Sequence, residues 1–457
     1  MTRAFELQCW VKKFYRQGIR FQKHLKELEK TGRYDQVALQ DLQNRRLQNM
    51  IRHCAENVPY YQDLFRELKL KPDDILSPAD LVKLPILDKQ TVNQNFDKLI
   101  VKNRRNFLCQ LAKTSGTTGS PGKFWRDYNS INLENAAVWR QWHNSGDFGK
   151  RRISFRGQIV CPSSVMEPPF WRYNPANREI QMSSFHLSLK NSKAYIDEIL
   201  KFQPKVLYCL PSVGALLGRF FRHYGIDYQF EHIFTSSESV EPETLRFLEE
   251  TFQAKVVDWY GQTERIAAIA HCEMGSYHIV EDYSIVELLP APAEMQPDHE
   301  QQEIYEVVGT HLHNFVMPLL RYRTKDYVTV TEQEKLPCAC GSKFRRLEKI
   351  VGRSEQPAII TPEGVHIIIT AHISMGIDHL LETQCIQEKP GEMLVKIVTS
   401  AEFSEENRRQ LLENAVKFTS PSMKVEIQKV DEIPRGPNGK FIGVINTMGV
   451  ERQASPV

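Results

Sequence analysis

Short apolar runs alternate with longer helical patterns between about residues 106 and 330, and this alternation constrains the fold most strongly. The runs 205–210 and 233–235 are typical of strand ends. Residues 240–253 have a helical pattern, and the apolar run 255–259 follows as the next strand. Strand–helix–strand alternation predicts an α/β fold with mostly parallel sheets covered by helices. Ligands of such sheets bind beyond the carboxyl ends of the strands.

The regions before this alternation have helical patterns. Leucines recur at helical spacing over residues 36–70, but the segment 57–61 interrupts them, because proline disfavours helix interiors and the residue before it. The first thirty residues mix aromatic and basic side chains, which predicts one basic amphipathic helix. We expect this helix to cap the protein's own surface, and docking on a membrane or a partner is the alternative.

A smaller unit of strands and helices is predicted beyond residues 351–353. Its strands are expected at 393–398, which is rich in β-branched residues, and at 423–427, where apolar and polar residues alternate. A helical pattern covers residues 405–418, and residues 451–457 are typical of a loose tail. The chain is therefore expected to have a large α/β part followed by a small α+β part.

The composition is that of an ordinary soluble globular protein. A net charge of +3 gives no reason to expect binding to nucleic acid or to acidic membranes. No apolar run reaches the ~18 residues of a membrane-spanning helix, and no signal-peptide segment begins the chain. The nine cysteines are too dispersed for a compact disulfide framework. We expect a cytoplasmic protein.

The segment 114–123 (TSGTTGSPGK) concentrates hydroxyl residues and glycines beside a lysine. Glycine lets the backbone approach a ligand, and hydroxyl and N–H groups donate to phosphate oxygens. Five residues separate Gly116 from Gly122, and Phe124 follows Lys123, so the segment is not the P-loop of the NTPases. Its spacing favours a different phosphate-binding loop, and a Ser/Gly-rich surface turn is the alternative.

Three further segments follow downstream: 259–264 (WYGQTE), 321–326 (RYRTKD) and 434–440 (PRGPNGK), with Gly352-Arg353 before the last. Together with the 114–123 loop, they resemble in order and spacing the motifs of the adenylate-forming (ANL) superfamily of acyl-CoA synthetases and adenylation domains. Within it, the chain resembles phenylacetate–CoA ligase-like proteins, in particular the branch often associated with capsular polysaccharide genes. The resemblance covers nearly the whole chain.

The resemblance implies a large N-terminal domain with mostly parallel sheets and a small mobile C-terminal domain. The small domain would rotate about a hinge near Glu355, where many relatives have aspartate. It would present Lys440 for the first half-reaction and another face for the second. The implied organisation is a helical N-terminal part (1–105), an ATP- and acyl-binding core (106–350), a hinge (351–355), a C-terminal domain with the catalytic lysine (356–448) and a tail (449–457).

The resemblance also implies how ATP is bound and used. Tyr260 would stack on adenine, Thr263 would bind the α-phosphate, and Glu264 would hold Mg²⁺, which prefers oxygen ligands. Asp326 would accept hydrogen bonds from the ribose hydroxyls, and Lys440 would stabilise charge developing between carboxylate and α-phosphate. The implied ATP-binding residues are Thr114, Ser115, Gly116, Thr117, Thr118, Gly119, Lys123, Ser236, Ser237, Glu238, Tyr260, Gly261, Asp326 and Arg353.

The sequence departs from the family pattern at two places, and only the second bears on the acceptor. Lys325 stands beside Asp326 where relatives commonly have glycine. The segment 361–370 keeps Gly364 and Val365 but lacks the Asn and the Phe-Pro that follow the hinge in CoA ligases. This break leaves the acceptor open between CoA and an amine, a sugar hydroxyl or a carrier protein. A non-catalytic nucleotide-binding protein is the second alternative, and the intact motif residues argue against it.

A second site is suggested by Cys338 and Cys340, which are separated by one residue. With Cys272 and His278 upstream, they make four nitrogen and sulfur ligands, the number that a structural tetrahedral Zn²⁺ site requires. Several phenylacetate–CoA ligase-like proteins have a metal with this kind of pattern. His271 is the alternate ligand, and unpaired buried thiols are the alternative to a metal.

The acyl substrate is poorly encoded in the sequence. Phe185 and His186 are candidates for the pocket that holds the acid, and Tyr208 and Ser212 are candidates for its wall. An aromatic–histidine pair also occurs in ordinary core packing. The sequence therefore predicts a small-molecule acid as substrate without identifying it.

Overall fold

The computed structural model describes most of the chain. The described residues are 3–114, 122–162, 164–295, 302–353, 359–364, 366–367, 371–374, 376–436 and 441–448. Several residues named above lie outside this set: Ser115, Gly116, Thr117, Thr118, Gly119, Glu355, Val365 and Lys440, together with the tail 449–457. The roles expected of those residues stay predictions.

The predicted interruption of the first long helical pattern is confirmed. Helix α3 ends at Asn57 and α4 begins at Pro59, because proline has no N–H to donate and is tolerated at the first helical position. In the described residues the helices are α1 (Arg3–Gln17), α2 (Ile19–Thr31), α3 (Gln36–Asn57), α4 (Pro59–Glu67), α5 (Lys89–Gln94), α6 (Tyr128–Asn144), α7 (Leu189–Phe202), α8 (Pro211–His223), α9 (Pro242–Phe252) and α10 (Glu405–Phe418).

The strands expected from the sequence are also present, with small differences at their ends. The described strands are β1 (Cys109–Lys113), β2 (Lys123–Asp127), β3 (Arg152–Phe155), β4 (Trp171–Asn174), β5 (Glu179–Met182), β6 (Val206–Cys209), β7 (His232–Ser236), β8 (Lys255–Gly261), β9 (Ala268–His271), β10 (Tyr277–Ile279), β11 (Ser284–Pro290), β12 (Gln302–His311), β13 (Tyr322–Thr331), β14 (Arg346–Leu347), β15 (Lys349–Arg353), β16 (Ile359–Ile360), β17 (His366–Ile367), β18 (Leu380–Lys389), β19 (Glu392–Thr399), β20 (Lys424–Lys429) and β21 (Val444–Asn446). The expected strands correspond to β6, β7, β8, β19 and β20.

The chain divides into two compact units. Unit 1 comprises residues 1–149, 174–177 and 257–354. Unit 2 comprises residues 150–173, 178–256 and 355–457. Unit 2 thus contains both the middle of the chain and its C-terminal part.

Unit 1 is built on antiparallel strands. One sheet has the order β11–β12–β13–β15, and a second group has the order β8–β9–β10–β14. Leu47 and Ile51 of α3 pack in one apolar core with Val316 and Leu319 from the segment before β13. Strands β1 and β2 form a separate antiparallel hairpin. This hairpin flanks the hydroxyl-rich segment identified in the sequence.

Unit 2 contains the predicted parallel sheet. Strands β7, β6, β3 and β5 are neighbours in that order and run parallel, with Phe155 opposite Cys209 and Cys209 opposite Thr235. Helices α7, α8 and α9 bury apolar side chains such as Tyr195 and Phe220 in the same core. The smaller sheet β20–β19–β18–β21 carries α10. The α/β fold class with a smaller C-terminal part is therefore confirmed.

The single N-terminal helix expected from the sequence is wrong. The segment forms two helices separated by Gly18, where a Cβ atom would come within 2.7 Å of the carbonyl oxygen of Phe14. Phe21 of α2 is buried against α6, whereas Trp10 and Phe14 of α1 are exposed. Among the described helices, none is long and apolar enough to cross a membrane.

A buried ion pair joins three segments of unit 1. The guanidinium of Arg140 on α6 donates to both carboxylate oxygens of Asp282, at 2.5 and 3.0 Å, and also to the carbonyl oxygen of Leu28. The Thr31 hydroxyl donates to the same carboxylate. Both charged side chains are less than a tenth exposed. Helices α2 and α6 are thus held to the segment between β10 and β11.

Replacing one partner of this pair is expected to be costly. Arg140→Met leaves the Asp282 carboxylate buried without its cation, so the free energy of unfolding should fall by about 3–5 kcal/mol. Urea unfolding followed by tryptophan fluorescence measures the change. Arg409→Met removes an exposed pair with Glu406 and should cost less than about 1 kcal/mol. Equal effects of the two substitutions would contradict a structural role for the buried pair.

Candidate functional site

The predicted phosphate loop is closed at its base by the β1–β2 hairpin. Lys113 and Lys123 are cross-strand partners. The backbone N–H of Thr114 donates to the carbonyl oxygen of Gly122 at 2.9 Å, and the N–H of Gly122 donates to the Thr114 hydroxyl at 2.8 Å. The described residues thus place both ends of the 115–121 segment side by side. Lys123 is exposed on β2.

Strand β2 also contacts the turn that contains Glu264. The guanidinium of Arg126 donates to the carbonyl oxygen of Thr263, with its Nε atom at 2.9 Å. Phe124 packs edge-on against Tyr322 with ring centroids 6.1 Å apart. The hydroxyl of Tyr322 donates to Oε1 of Glu264 at 3.3 Å. Two independent contacts therefore bring the hairpin next to the predicted magnesium carboxylate.

The two residues expected to bind the nucleoside are in direct contact. The Tyr260 hydroxyl donates to Oδ2 of Asp326 at 2.7 Å, and the Gln262 side-chain amide donates to Tyr260 at 2.9 Å. Burial raises the pKa of Tyr260, and the Asp326 charge adds to this effect. Asp326 is also the cross-strand partner of Arg353 through β13 and β15. Residues 66 positions apart in the chain thus share one location.

Glu264 is 7% exposed and begins a buried cluster of charged and polar groups. Its backbone carbonyl accepts a hydrogen bond from Nε2 of His311 at 2.9 Å, while Nδ1 of the same ring accepts from the N–H of Leu319. The next residue, Arg265, lies 3.9 Å from Glu134, which accepts a hydrogen bond from Tyr283. The turn that carries Glu264 is therefore fixed by a neutral histidine and by buried charge.

The backbone explains why the family commonly has glycine at the position of Lys325. Lys325 has a φ of 60°, in the left-handed region that glycine adopts without steric cost. Arg321 in the same motif also has a positive φ, and its guanidinium binds both Glu287 oxygens and the carbonyl oxygen of Leu84. Arg321 thus has a structural role in the motif.

The four predicted zinc ligands come together in unit 1. The ligand atoms of Cys272, His278, Cys338 and Cys340 all lie within 4.8 Å of one another. The Cys272 and Cys338 sulfur atoms are 3.8 Å apart, and Nε2 of His278 is 3.5 Å from the Cys340 sulfur. Nδ1 of His278 is 3.1 Å from the carbonyl oxygen of Phe344. A proton on Nδ1 would leave Nε2 free to bind a metal.

The alternate ligand His271 is not part of this group. Its ring packs against Tyr277 with centroids 3.8 Å apart, and its Nδ1 faces the backbone N–H of Asp258. Burial lowers the pKa of His271 to about 4. The structure therefore favours His278 over His271, because His271 adjoins the candidate ligand Cys272 and successive residues of an extended segment point to opposite faces.

In unit 2, predicted residues gather at the carboxyl ends of the parallel strands. The guanidinium of Arg156, directly after β3, lies over the Tyr208 ring at 3.9 Å and donates to the Ser236 hydroxyl at 3.1 Å. The Ser236 and Ser237 hydroxyls are 3.3 Å apart. Glu238 accepts a hydrogen bond from the backbone N–H of Ser212 at the start of α8. The predicted ATP contacts 236–238 and the predicted acyl wall are therefore neighbours.

The other acyl-pocket candidates follow β5. The ring of His186 stacks on Phe170 with centroids 4.7 Å apart, and its Nδ1 is 2.8 Å from the Ser183 hydroxyl. Its Nε2 is buried without a hydrogen-bond partner among the described residues. Phe185 is partly exposed beside it. The pair thus combines core packing with one nitrogen that remains available to a ligand.

Sequence reasoning missed Arg126, Tyr322 and Arg156. Tyr322 lies inside the 321–326 motif, so its position was a usable signal. The roles of Arg126 and Arg156 could not be predicted from motif spacing, because each side chain contacts residues more than 50 positions away in the chain. Such partners become visible only when the strands are assembled.

Comparison with known proteins supports the family resemblance. Residues 359–447 match a family model described as the CapK C-terminal domain. The chain is 25% identical to Protein CapK of Staphylococcus aureus over 414 residues, which cover 89% of both chains. It is 26% identical to the phenylacetate-coenzyme A ligase of Aromatoleum evansii over 444 residues, covering 92% of this chain and 97% of that ligase. The resemblance inferred from the motifs is confirmed.

The fold is that of a solved CoA ligase. A structure of 2-hydroxyisobutyryl-CoA ligase in the postadenylation state, in complex with R3-HIB-AMP, superposes with a TM-score of 0.66 at 17% identity. The match covers 92% of this chain and 91% of that chain. The same ligase in complex with 2-HIB-AMP and CoA in the thioesterification state gives a TM-score of 0.57 at 19% identity. At these identities the likeness establishes the fold.

Acidification is expected to destabilise unit 1 through its buried histidines. Burial lowers the pKa of His311 to about 4, whereas an unfolded histidine has a pKa of about 6.5. Between these values the unfolded state binds more protons, so the free energy of unfolding falls as the pH drops from about 6.5 to 4. The expected contribution is up to about 3 kcal/mol, measured by urea unfolding at several pH values. His311→Gln should reduce the slope, and an unchanged slope would contradict this assignment.

Proposed function

We propose that this chain is an ATP-dependent enzyme that activates an organic acid as its acyl-adenylate and transfers the acyl group to CoA. The chain is a relative of CapK and the phenylacetate–CoA ligases and has the fold of an adenylate-forming ligase. The observation that carries the proposal lies in unit 1. There, a side-chain contact joins the hairpin of the phosphate loop to the Glu264 turn, and Tyr260, on the strand that leads into this turn, binds Asp326. The similarity to a phenylacetate-coenzyme A ligase supports the same activity.

The proposed first half-reaction joins a carboxylate oxygen of the acid to the α-phosphorus of ATP and expels pyrophosphate. Both reactants are anions, so the site has to supply positive charge and hydrogen-bond donors. The 114–123 loop, with Lys123, is proposed to bind the departing phosphates. Thr263 would donate to the α-phosphate, and Lys440 would stabilise the negative charge that develops there.

The nucleoside would be held by the Tyr260–Asp326 pair. The Tyr260 hydroxyl fixes one carboxylate oxygen of Asp326, which leaves acceptor capacity on that carboxylate for ribose hydroxyls. Serines 236 and 237 and Glu238 at the end of β7 are proposed as further nucleotide contacts, and Gly261 and Arg353 complete the set. Glu264 would hold Mg²⁺, whose charge would neutralise phosphate oxygens.

CoA is the proposed acceptor because the relatives that cover most of the chain include CoA ligases. An amine, a sugar hydroxyl or a carrier is the second candidate. The altered 361–370 segment and the match to the CapK C-terminal domain favour it. A role in polysaccharide biosynthesis and a cytoplasmic location belong to this part of the proposal.

We also propose that Cys272, His278, Cys338 and Cys340 bind a structural Zn²⁺. Three thiols and one imidazole are a donor set that suits tetrahedral zinc, and the separations of their ligand atoms fit this geometry. The His278 contact with the Phe344 carbonyl supplies the outer hydrogen bond typical of such ligands. With four protein ligands, the site would have no open position for catalysis.

Pyrophosphate exchange into ATP across a panel of acids tests adenylation. The wild type should exchange with at least one acid, and Lys440→Ala should slow that exchange by about 10²–10³-fold, as expected for loss of a transition-state charge stabiliser. Lys429→Ala removes an exposed lysine at the end of β20 and serves as the control. Equal exchange in all three proteins would remove Lys440 from the mechanism, and no exchange with any acid would overturn adenylation.

Hydroxylamine trapping identifies the acceptor once an acid is known. Hydroxylamine should release acyl-hydroxamate from the adenylate without CoA, and CoA should form an acyl thioester that diverts the product. If CoA changes neither the rate nor the product, while an amine or a sugar does, the second candidate acceptor is correct.

Metal analysis of the purified protein tests the zinc proposal. One zinc per chain is expected, with loss of the metal in the Cys338→Ser, Cys340→Ser double variant and a lower melting temperature. Cys109→Ser, at a cysteine outside the group, should keep its zinc. A metal-free wild type with unchanged stability in chelator would contradict a structural metal.

A further inference from the structure

A small polar cavity lies within unit 2, between the start of α8, the segment after β5 and strand β18. Its polar lining consists of Ser184, Ser212, Arg219, Glu382 and Arg435, and the remaining lining residues are apolar. Two of these residues adjoin or belong to the predicted acyl pocket. Ser184 immediately precedes the Phe185–His186 pair, and Ser212 is a predicted wall residue. The cavity is therefore a candidate extension of the acid-binding pocket.

The two serine hydroxyls in the cavity lack partners. Ser184 is 1% exposed, and its Oγ atom is buried with no hydrogen-bond partner in the described part of the chain. The Oγ atom of Ser212 is in the same situation. Buried hydroxyls in folded proteins are nearly always hydrogen-bonded, to protein, water or ligand. Both hydroxyls are thus available as donors to a group that enters the cavity.

The charges around the cavity do not balance. Glu382, only 3% exposed, accepts from Nη1 of Arg435 at 2.5 Å, and Nη2 of Arg435 donates to the Leu187 carbonyl. Arg219 donates to the carbonyl oxygen of Leu381 at 2.6 Å. Within the described residues, no carboxylate lies within 4.0 Å of its guanidinium. Two cations therefore accompany one anion.

The uncompensated positive charge is that of the Arg219 guanidinium. Burial lowers the pKa of Arg219, and the Glu382 charge opposes this effect from beyond ion-pair distance. An arginine side chain nevertheless stays protonated in proteins. A half-buried cation of this kind is stabilised by an anion that brings its own charge into the cavity. The planar guanidinium with two nearby hydroxyl donors matches a carboxylate.

We infer that this cavity binds a carboxylate, and that the acid activated by this chain is a dicarboxylic acid whose second carboxylate lies against Arg219, Ser184 and Ser212. This inference rests on the proposed function. The reacting carboxylate loses its charge on adenylation, so a fixed cation that bound it would stabilise the ground state more than the transition state. A carboxylate that keeps its charge throughout the reaction fits the cavity without that penalty.

Calorimetric binding of matched acids, without ATP, tests the cavity directly. Succinate, glutarate and adipate are each compared with the monocarboxylate of the same carbon number: butyrate, valerate and hexanoate. At least one diacid should bind about tenfold or more tightly than its matched monoacid, the scale of a charge-assisted hydrogen bond. Inorganic phosphate is included as a free anion.

Arg219→Met should remove this preference for the diacid and leave the affinity for the monoacid unchanged. Arg222→Met on the same helix is the matched control, because Arg222 is exposed and packs over Phe247. A Ser184→Ala, Ser212→Ala double variant retains all charges and should weaken the diacid severalfold. It provides a second test if Arg219→Met does not fold, as judged by circular dichroism.

Three results would overturn the inference: equal binding of diacids and monoacids, an equal loss of both in Arg219→Met, or displacement of the diacid by phosphate at equal affinity. The last would identify a free-anion site. The adenylation proposal is tested separately, by pyrophosphate exchange. Diacid binding without exchange would overturn the proposed function alone, whereas diacid-dependent exchange that Arg219→Met does not change would overturn the cavity alone.

Discussion

The hydrogen bond from Arg126 to the carbonyl oxygen of Thr263 is the contact on which the rest of the proposed nucleotide site depends. It joins the second strand of the loop hairpin to the turn that carries Glu264. The acceptor is a backbone atom, so the identity of residue 263 does not determine the contact. Burial lowers the pKa of Arg126 to about 10, which leaves it charged at neutral pH. The base of the predicted phosphate loop and the turn of the predicted magnesium carboxylate are therefore joined by a residue outside both motifs.

The residues of the sequence motifs differ in the contacts that they make in the structure. Tyr260 and Asp326 bind each other and retain capacity for a ligand, whereas Arg321 is fully engaged with Glu287 and Leu84. Lys325, next to Asp326, occupies a left-handed backbone position. Members of one short sequence motif thus divide between a proposed role in ligand binding and a structural role. Burial and hydrogen-bond partners separate the two groups more clearly than spacing does.

Local patterns predicted the secondary structure well, because strands and helices follow apolar periodicity and proline positions. The division of the N-terminal segment into two helices was not predicted. It occurs at Gly18, where a side chain would come too close to the carbonyl oxygen of Phe14, and this contact is visible only in the structure. The cysteine group was predicted as a set with His278, and His271 was the alternate ligand. The tertiary structure supports the first choice, because the cluster of ligand atoms in the described residues contains His278 with the three cysteines.

By itself, the sequence determined the α/β fold class and the order of the motifs, and it predicted most residues of the proposed nucleotide site, because these depend on local periodicity and on short, specific spacings. Only the tertiary structure decided which distant side chains meet. Arg219 contacts Leu381 across 162 residues, and Ser184 and Ser212 reach the same cavity from different strand ends. A charge imbalance of this kind has no local pattern, because it is a sum over groups that only packing brings within a few ångströms of one another.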